Sequence, residues 1–389
     1  MTYYLLPKTN HFISIKMNIE NEPLTIYTSY SLFYFYHKIS EQFIRLFLKQ
    51  EKREIEKEKE KEKENEKEKE NEKEKIENIS KIFHPYEYIF KKMPNSKFSV
   101  SKLKNQEENF YDFYEIVKTV YLFEDFYKKN MIILNIGPNS ESINHCIELS
   151  RNNSNDEIIT YPSFHFNSFI KEKEIESAQI QNNKKYDFIF YELEKENYYN
   201  TNEYIAGLIK MVIVLLKTQK QNGCCVIKIK DVFFKPVLDI IYLLTSFYEK
   251  TYIIKPMAND STTFYKYIVC KNYVEDSLFF SFDHQRQQYC EKLVYYLNKF
   301  QEYQEKNKDL PIYISSILDF ELPCYFISKI NDINIIIGQQ QLDTLNQIIL
   351  FLKNKNKEKM NQMIKTHIYK SVKWCEKFKI PYNTAVSPS

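Results

Sequence analysis

The chain has 389 residues, which is long enough for one large or two moderate domains. Its 55 lysines and arginines nearly balance 52 aspartates and glutamates, leaving a formal net charge of +3. Any affinity for nucleic acid must therefore come from local patches rather than from the field of the whole chain. The 7 cysteines show no Cys-x-x-Cys spacing and lie mostly in apolar segments, which argues against both a zinc site and a disulfide scaffold.

No apolar run approaches the roughly 20 residues that span a bilayer. The first residues also lack the basic and apolar regions of a signal peptide. We therefore expect a soluble, cytoplasmic protein without a membrane partner.

A run of alternating charges divides the first part of the chain. Residues 1–50 contain aromatic-rich stretches that can bury a face, which predicts an ordered N-terminal segment. Residues 51–76 alternate glutamate and lysine and have no apolar stripe with which to dock. They are predicted to form a charged low-complexity linker, and ordered sequence resumes at about residue 77.

The middle of the chain alternates strand-like and helix-like patterns. Short apolar runs at residues 131–136, 157–160 and 186–191 are typical of buried strands. Helical spacing of apolar residues lies between them, at residues 110–127 before the first run and 206–218 after the third. This alternation predicts an α/β fold with a parallel sheet and right-handed connections.

The segment from Gly223 to Tyr273 is the most informative. An apolar strand begins at Gly223 and leads to Lys228, and an apolar helix follows over residues 232–248. Two further strands, predicted at residues 251–256 and 265–271 around a short turn, form an antiparallel pair. A lysine is costly to bury in such a strand, so Lys228 is expected where the strand opens into a site.

Residues 274–389 read as mainly helical. Helical spacing covers residues 285–303, 339–352 and 357–378. We predict that this C-terminal region covers the sheet or binds a protein partner.

The order of motifs from Gly223 through Lys228 to Tyr267-Ile268-Val269 resembles that of the FtsJ-like (RrmJ-type) S-adenosylmethionine-dependent RNA 2'-O-methyltransferases, including the viral cap-methylating branch. The similarity is best over residues 186–273 and weaker back to about residue 110. It implies a Rossmann-like methyltransferase domain over residues 77–273, with a parallel sheet closed by an antiparallel hairpin. It also implies RNA as a partner and, for the viral branch, a viral factory or virion as the alternative location.

The resemblance also implies a site for S-adenosylmethionine. In this family the first strand ends in a glycine-rich turn, because the backbone passes close under the methionine moiety. The matching positions here are Asn135, Gly137, Pro138 and Asn139. Glu141 and Ser142 stand where the family has a pair of glycines, so weak cofactor binding is expected. The alternative is that Gly137 only ends a strand before the next helix begins.

Family members transfer the methyl group with a Lys-Asp-Lys-Glu tetrad, whose central lysine takes the proton from the ribose hydroxyl. Lys228 matches this lysine, and Glu192 stands near the position of the aspartate. The final carboxylate falls on Tyr265, and the best register puts Asp112 at the first lysine. The match is therefore incomplete, and impaired or lost catalysis is predicted.

Two functions remain open. The first is a working RNA 2'-O-methyltransferase acting on a cap or on ribosomal RNA, with Lys228 as base and Glu192 as the acid that orients it. The second is a non-catalytic RNA-binding or scaffold subunit of a viral capping or transcription apparatus. For Lys228 alone, a strand-end lysine without a role is a third reading.

Overall fold

The structure is a computed structural model that describes residues 2–10, 13–42, 45, 83–105, 107–153, 155–162, 184–274, 282–306, 311–354 and 356–383. The predicted charged linker, residues 51–76, lies outside these ranges. The chain divides into two compact units. Unit 1 comprises residues 1–30, 116–255 and 265–334, and unit 2 comprises residues 31–115, 256–264 and 335–389. The four segments expected from the sequence stay a prediction, and each unit draws on several of them.

Strands and helices alternate along the chain. The strands are β1 (Thr2–Leu5), β2 (Ile15–Glu20), β3 (Ile132–Ile136), β4 (Glu157–Tyr161), β5 (Tyr186–Tyr191), β6 (Gln219–Ile229), β7 (Tyr248–Lys255), β8 (Lys266–Tyr273) and β9 (Tyr313–Leu318). The helices are α1 (residues 30–42), α2 (Glu108–Thr119), α3 (Ser140–Arg151), α4 (Thr201–Thr218), α5 (Lys235–Phe247), α6 (Phe282–Lys306), α7 (Cys324–Asn354) and α8 (Lys357–Phe378).

Unit 1 is built on a seven-stranded sheet with the order β1-β7-β8-β6-β5-β3-β4. Strands β4, β3, β5 and β6 are parallel, whereas β8, β7 and β1 continue the sheet in antiparallel fashion. The last strand of this sheet along the chain, β8, lies between β6 and β7. The predicted α/β class, with a parallel sheet, an antiparallel closing pair and a helical C-terminal region, is confirmed.

The central strands are apolar because both of their faces are covered. Every residue of β5 is buried, and Cys224 to Ile227 of β6 are fully inaccessible. Continuous apolar runs are what a parallel strand between helical layers requires. Helix α4 is buried along most of its length and packs against α6.

The connection between β7 and β8 covers residues 256–265, one residue more at each end than the predicted strands leave. One local prediction differs from the structure. The region predicted as mainly helical also contains β9, which pairs with β2 in a separate two-stranded sheet. The buried carboxylate of Asp239 on α5 anchors β9 by accepting from the backbone N–H groups of Ile317 and Leu318. Burial raises the pKa of Asp239.

Unit 2 has its own apolar core, which includes Phe83 and the α7 residues Leu345, Ile348 and Leu352. A buried carboxylate, Glu115 of α2, organises the polar interior. It accepts hydrogen bonds from the backbone N–H groups of residues 257 and 258 and from Trp374 Nε1 at 2.7 Å. Burial raises the pKa of Glu115, and these donors oppose that shift by stabilising its anion.

Among the described helices, none combines the length and apolar character needed to cross a bilayer.

Candidate functional site

The register of the sheet aligns the ends of three neighbouring parallel strands. Ile136 of β3 lies opposite Tyr191 of β5, which in turn lies opposite Ile227 of β6. The next residues along these strands are Gly137, Glu192 and Lys228. Because carboxyl ends of parallel strands meet at one edge, residues from three separate sequence motifs come together there.

The centre of the site is an ion pair between two side chains with little exposure. Lys228 Nζ lies 2.8 Å from Glu192 Oε1, and the side chains are 12% and 4% exposed, respectively. Glu192 Oε2 accepts a hydrogen bond from Asn139 Nδ2 at 3.0 Å. The backbone N–H of Glu192 also donates to Ile136 O at 2.9 Å. The structure therefore brings together Lys228, Glu192 and Asn139, all three predicted as site residues, although their roles stay predictions.

Gly137 has a packing reason to be glycine. Its φ of 144° is rarely adopted by residues with a side chain. A Cβ atom there would lie 2.8 Å from Glu192 Cβ and 2.9 Å from Glu192 O. The end of β5 therefore fills the space next to this glycine.

The remaining predicted cofactor residues do not form a cradle for S-adenosylmethionine. Asn135 is fully buried and donates through Nδ2 to Ser140 O at 2.8 Å and to Asn144 Oδ1 at 2.6 Å, so its amide ties β3 to α3. Pro138 is exposed, and Glu141 presents an exposed carboxylate in the first turn of α3. With Gly137 packed against Glu192, these residues do not fit the glycine-rich turn that the cofactor needs.

Tyr265 lies beside the ion pair. Its ring centroid is 5.5 Å from Lys228 Nζ, within the range of a cation–π interaction. This position follows from the register, because Lys228 pairs with Tyr267 and side chains two residues apart share a face. Burial is the main cause that raises the pKa of Tyr265, and the Lys228 ammonium opposes that shift.

Tyr198 supports the same edge and was missed from the sequence. Its hydroxyl accepts from Leu193 N at 3.3 Å and donates to Lys228 O at 3.2 Å. Its ring packs edge-on against Tyr265 with centroids 5.2 Å apart. No sequence pattern distinguishes Tyr198 from the other tyrosines of a chain that has 32 of them.

Two other charged residues have different surroundings. Lys230, two residues after Lys228, donates through Nζ to the backbone oxygen of Tyr198 at 2.9 Å. Asp112 belongs to unit 2, where it is fully buried and its Oδ2 accepts from Asn259 Nδ2 at 2.6 Å.

The carboxyl end of β6 also borders a second set of buried charges. Lys266 of β8 lies opposite Ile229 and is fully inaccessible. Burial lowers its pKa to about 7, although the carboxylate of Asp231 opposes the shift. Burial likewise raises the pKa of Asp231, against the charges of Lys230 and Lys266. Sequence reasoning missed the burial of Lys266, because a lysine between two tyrosines suggests an exposed strand position.

Comparisons with known proteins identify no family. No family model matches the chain. No curated protein matches it either. Among solved structures it is similar to a Plasmodium falciparum protein described as a ribosomal RNA methyltransferase, with 17% identity, 40% of this chain and 94% of that chain covered, and a TM-score of 0.28. That similarity is too low to assign an activity to this chain.

Proposed function

We propose that the chain is an RNA-binding protein with a Rossmann-like methyltransferase fold, in which 2'-O-methyl transfer is impaired or lost. One observation carries the proposal. The Lys228–Glu192 ion pair faces the ring of Tyr265, at the position where the resembling family has its last carboxylate.

The surroundings of Lys228 favour its charged form. A general base must be neutral before it takes a proton. Here a carboxylate at 2.8 Å and an aromatic ring both stabilise the ammonium ion. Lys228 is therefore better suited to donate hydrogen bonds to a phosphate or ribose oxygen than to remove a proton.

The glycine turn supports the same conclusion. Gly137 is packed against Glu192, and Glu141 adds a negative charge at the start of α3. A cofactor that carries a carboxylate would be repelled by the charge of Glu141 and would find the space next to Gly137 filled by Glu192. We propose that S-adenosylmethionine binds weakly or not at all.

A working 2'-O-methyltransferase is the second candidate. The observation that favours it is the same ion pair, because a base and the acid that orients it would also lie within hydrogen-bonding distance. The contact of Asn139 with Glu192 would then fix the acid.

The helical C-terminal region supplies the predicted protein contact in this proposal. Large apolar residues of α7 in unit 2 are exposed. They are Ile335, Ile336 and Leu350. Their exposure supports a protein partner there, without identifying it.

Calorimetric titration with S-adenosylmethionine tests the loss of cofactor binding. We expect no saturable heat from the unmodified protein at micromolar concentrations. Glu141→Gly combined with Ser142→Gly should strengthen binding, because it removes a charge and a side chain near the turn. Glu148→Gly, at an exposed position of the same helix, controls for the lost helix propensity. Micromolar binding by the unmodified protein would contradict this part of the proposal and favour the enzyme.

A further inference from the structure

Two segments of unit 2 carry a concentration of exposed lysines. They are residues 91–104 and residues 370–379, which contain nine lysines and one acidic residue, Glu376. We refer to these lysines together as the lysine surface. Its members are Lys91, Lys92, Lys97, Lys102, Lys104, Lys370, Lys373, Lys377 and Lys379, all of them exposed.

The fold joins the two segments by backbone hydrogen bonds. Lys102 N donates to Pro381 O at 2.9 Å, and Asn383 N donates to Val100 O at 3.0 Å. The side chain of Asn383 adds a third bond, from Nδ2 to the oxygen of residue 99 at 2.8 Å. The first segment is therefore bonded to the chain that directly follows the second.

Helix α8 directs its lysines outward because its other face is buried. Lys370, Lys373 and Lys377 are spaced i, i+3 and i+7 and so share a helix face. The buried face lies beside this lysine face and includes Trp374, whose indole N–H donates to Glu115. This bond fixes which face of the helix is presented to solvent.

Glu376 neutralises little of this charge. Its carboxylate accepts from Lys373 Nζ at 2.8 Å and from the Tyr382 hydroxyl at 3.1 Å. The hydrogen bond from Lys373 is the main cause that lowers the pKa of Glu376. Among the other eight lysines, Lys91 interacts with the carboxylate of Glu87, which lies just before the first segment.

Exposed aromatic rings accompany these charges. Phe98 is 66% exposed and Tyr369 is 49% exposed. Lys373 Nζ lies 5.6 Å from the centroid of the Tyr369 ring. Lysines that track a backbone, combined with aromatic rings that stack on bases, are the means by which proteins bind single-stranded nucleic acid. A duplex keeps its bases covered, and an acidic protein or anionic membrane offers no bases to stack.

We infer that the lysine surface binds single-stranded RNA, with the lysines on phosphates and Phe98 and Tyr369 stacking on bases. The inference goes beyond the proposed function, because it uses none of the residues around Lys228. The two share only the ligand class.

The test is a titration of the full-length protein into fluorescein-labelled oligouridylate, followed by fluorescence anisotropy at several salt concentrations. Lys370→Gln, Lys373→Gln and Lys377→Gln combined should weaken binding about tenfold and reduce the slope of log K against log salt by about 2, as the loss of three phosphate contacts requires. The matched control replaces three exposed lysines of unit 1 with glutamine. They are Lys128, Lys129 and Lys250. The control should bind like the unmodified protein.

A second variant tests stacking. Phe98→Ala with Tyr369→Ala should weaken binding by about tenfold or more with an unchanged salt slope, because stacking involves no counterion release. All substituted side chains are exposed, so thermal melts should match that of the unmodified protein.

Three results would overturn the inference. The first is an equal loss of RNA affinity in the triple variant and its control. The second is the absence of RNA binding by the unmodified protein. The third is binding of the unmodified protein to phosphatidylserine vesicles instead of RNA. Lys228→Ala, measured in the same titration, separates the two proposals. If Lys228→Ala leaves affinity and salt slope unchanged while the lysine-surface variants weaken binding, RNA does not contact the candidate site. The inference about the lysine surface is then still supported.

Discussion

The lysines in the sheet of unit 1 and those of the lysine surface in unit 2 carry the same charge in opposite environments. Lys228 is 12% exposed and pairs with a buried carboxylate, and Lys266 is fully buried near Asp231. By contrast, Lys370, Lys373 and Lys377 point into solvent from one face of a helix.

This difference separates two uses of a lysine. A buried charge couples to folding, since the fold must supply its partner or shift its pKa. An exposed charge contributes little to folding and remains available for a ligand. Substitutions in the sheet should therefore change stability, whereas substitutions in the lysine surface should change binding alone.

The largest expected effect is a pH dependence caused by Lys266. Its pKa is lowered by burial from 10.5 to about 7, so between these values the unfolded chain holds a proton that the folded chain has released. Stability should therefore rise with pH across this window, by about 3 to 5 kcal/mol in total. Urea denaturation at pH 7 and pH 10 checks this. Lys266→Met should remove the rise, whereas the exposed-site variant Lys250→Met should keep it.

Gly137→Ala should have the next largest effect. Alanine would be strained at a φ of 144°, and its Cβ would press on Glu192. We expect a loss of about 3 kcal/mol in the free energy of unfolding. Gly207→Ala is the control, because the atom nearest to its Cβ is the end of the flexible Leu193 side chain and alanine favours the helix. Equal losses in the two variants would show that the end of β5 does not require a glycine.

Glu192→Gln should lower the free energy of unfolding by less than Gly137→Ala does. The substitution keeps the shape of the side chain but leaves the Lys228 ammonium without its carboxylate. Because Lys228 keeps some contact with water, we expect a loss of about 2 kcal/mol, below the range for a fully buried pair. Glu157→Gln, which breaks the exposed pair with Lys184, should cost clearly less in the same denaturation series. If Glu192→Gln lowered the free energy of unfolding no more than Glu157→Gln does, the buried ion pair would contribute no more to stability than the exposed one.

The smallest effect on stability is expected for a substitution of Lys373. Its pair with Glu376 is exposed and joins residues three apart on one helix. Lys373→Ala should leave the melting temperature unchanged within error. A shift of several degrees would show that this lysine belongs to the fold rather than to a binding surface.

The sequence was sufficient for the parts of the site that depend on periodicity. Apolar runs located β3, β5 and β6, and parallel strands end together, so Glu192 and Lys228 were expected at one edge. The pairing of β2 with β9 was not foreseen, because these short strands lie almost 300 residues apart and pair irregularly. The periodicity of apolar residues shows which face of a strand is buried, whereas pairing between distant strands depends on the whole fold.

Distances between backbones were also beyond sequence reasoning. The resemblance suggested a ligand as the reason for Gly137, but the structure shows the backbone of Glu192 in contact with it. The burial of Lys266 follows from its place on β8, which lies inside the sheet between β6 and β7. Neither fact is encoded in local spacing.

We propose that the fold binds RNA without methylating it, and the decisive assay is transfer of a labelled methyl group from S-adenosylmethionine to capped and ribosomal RNA. We expect no transfer above background by the unmodified protein or by Lys228→Ala, while the Lys228 variant binds RNA modestly less tightly and with a smaller salt dependence. Transfer by the unmodified protein that disappears in Lys228→Ala would contradict it and identify Lys228 as a base.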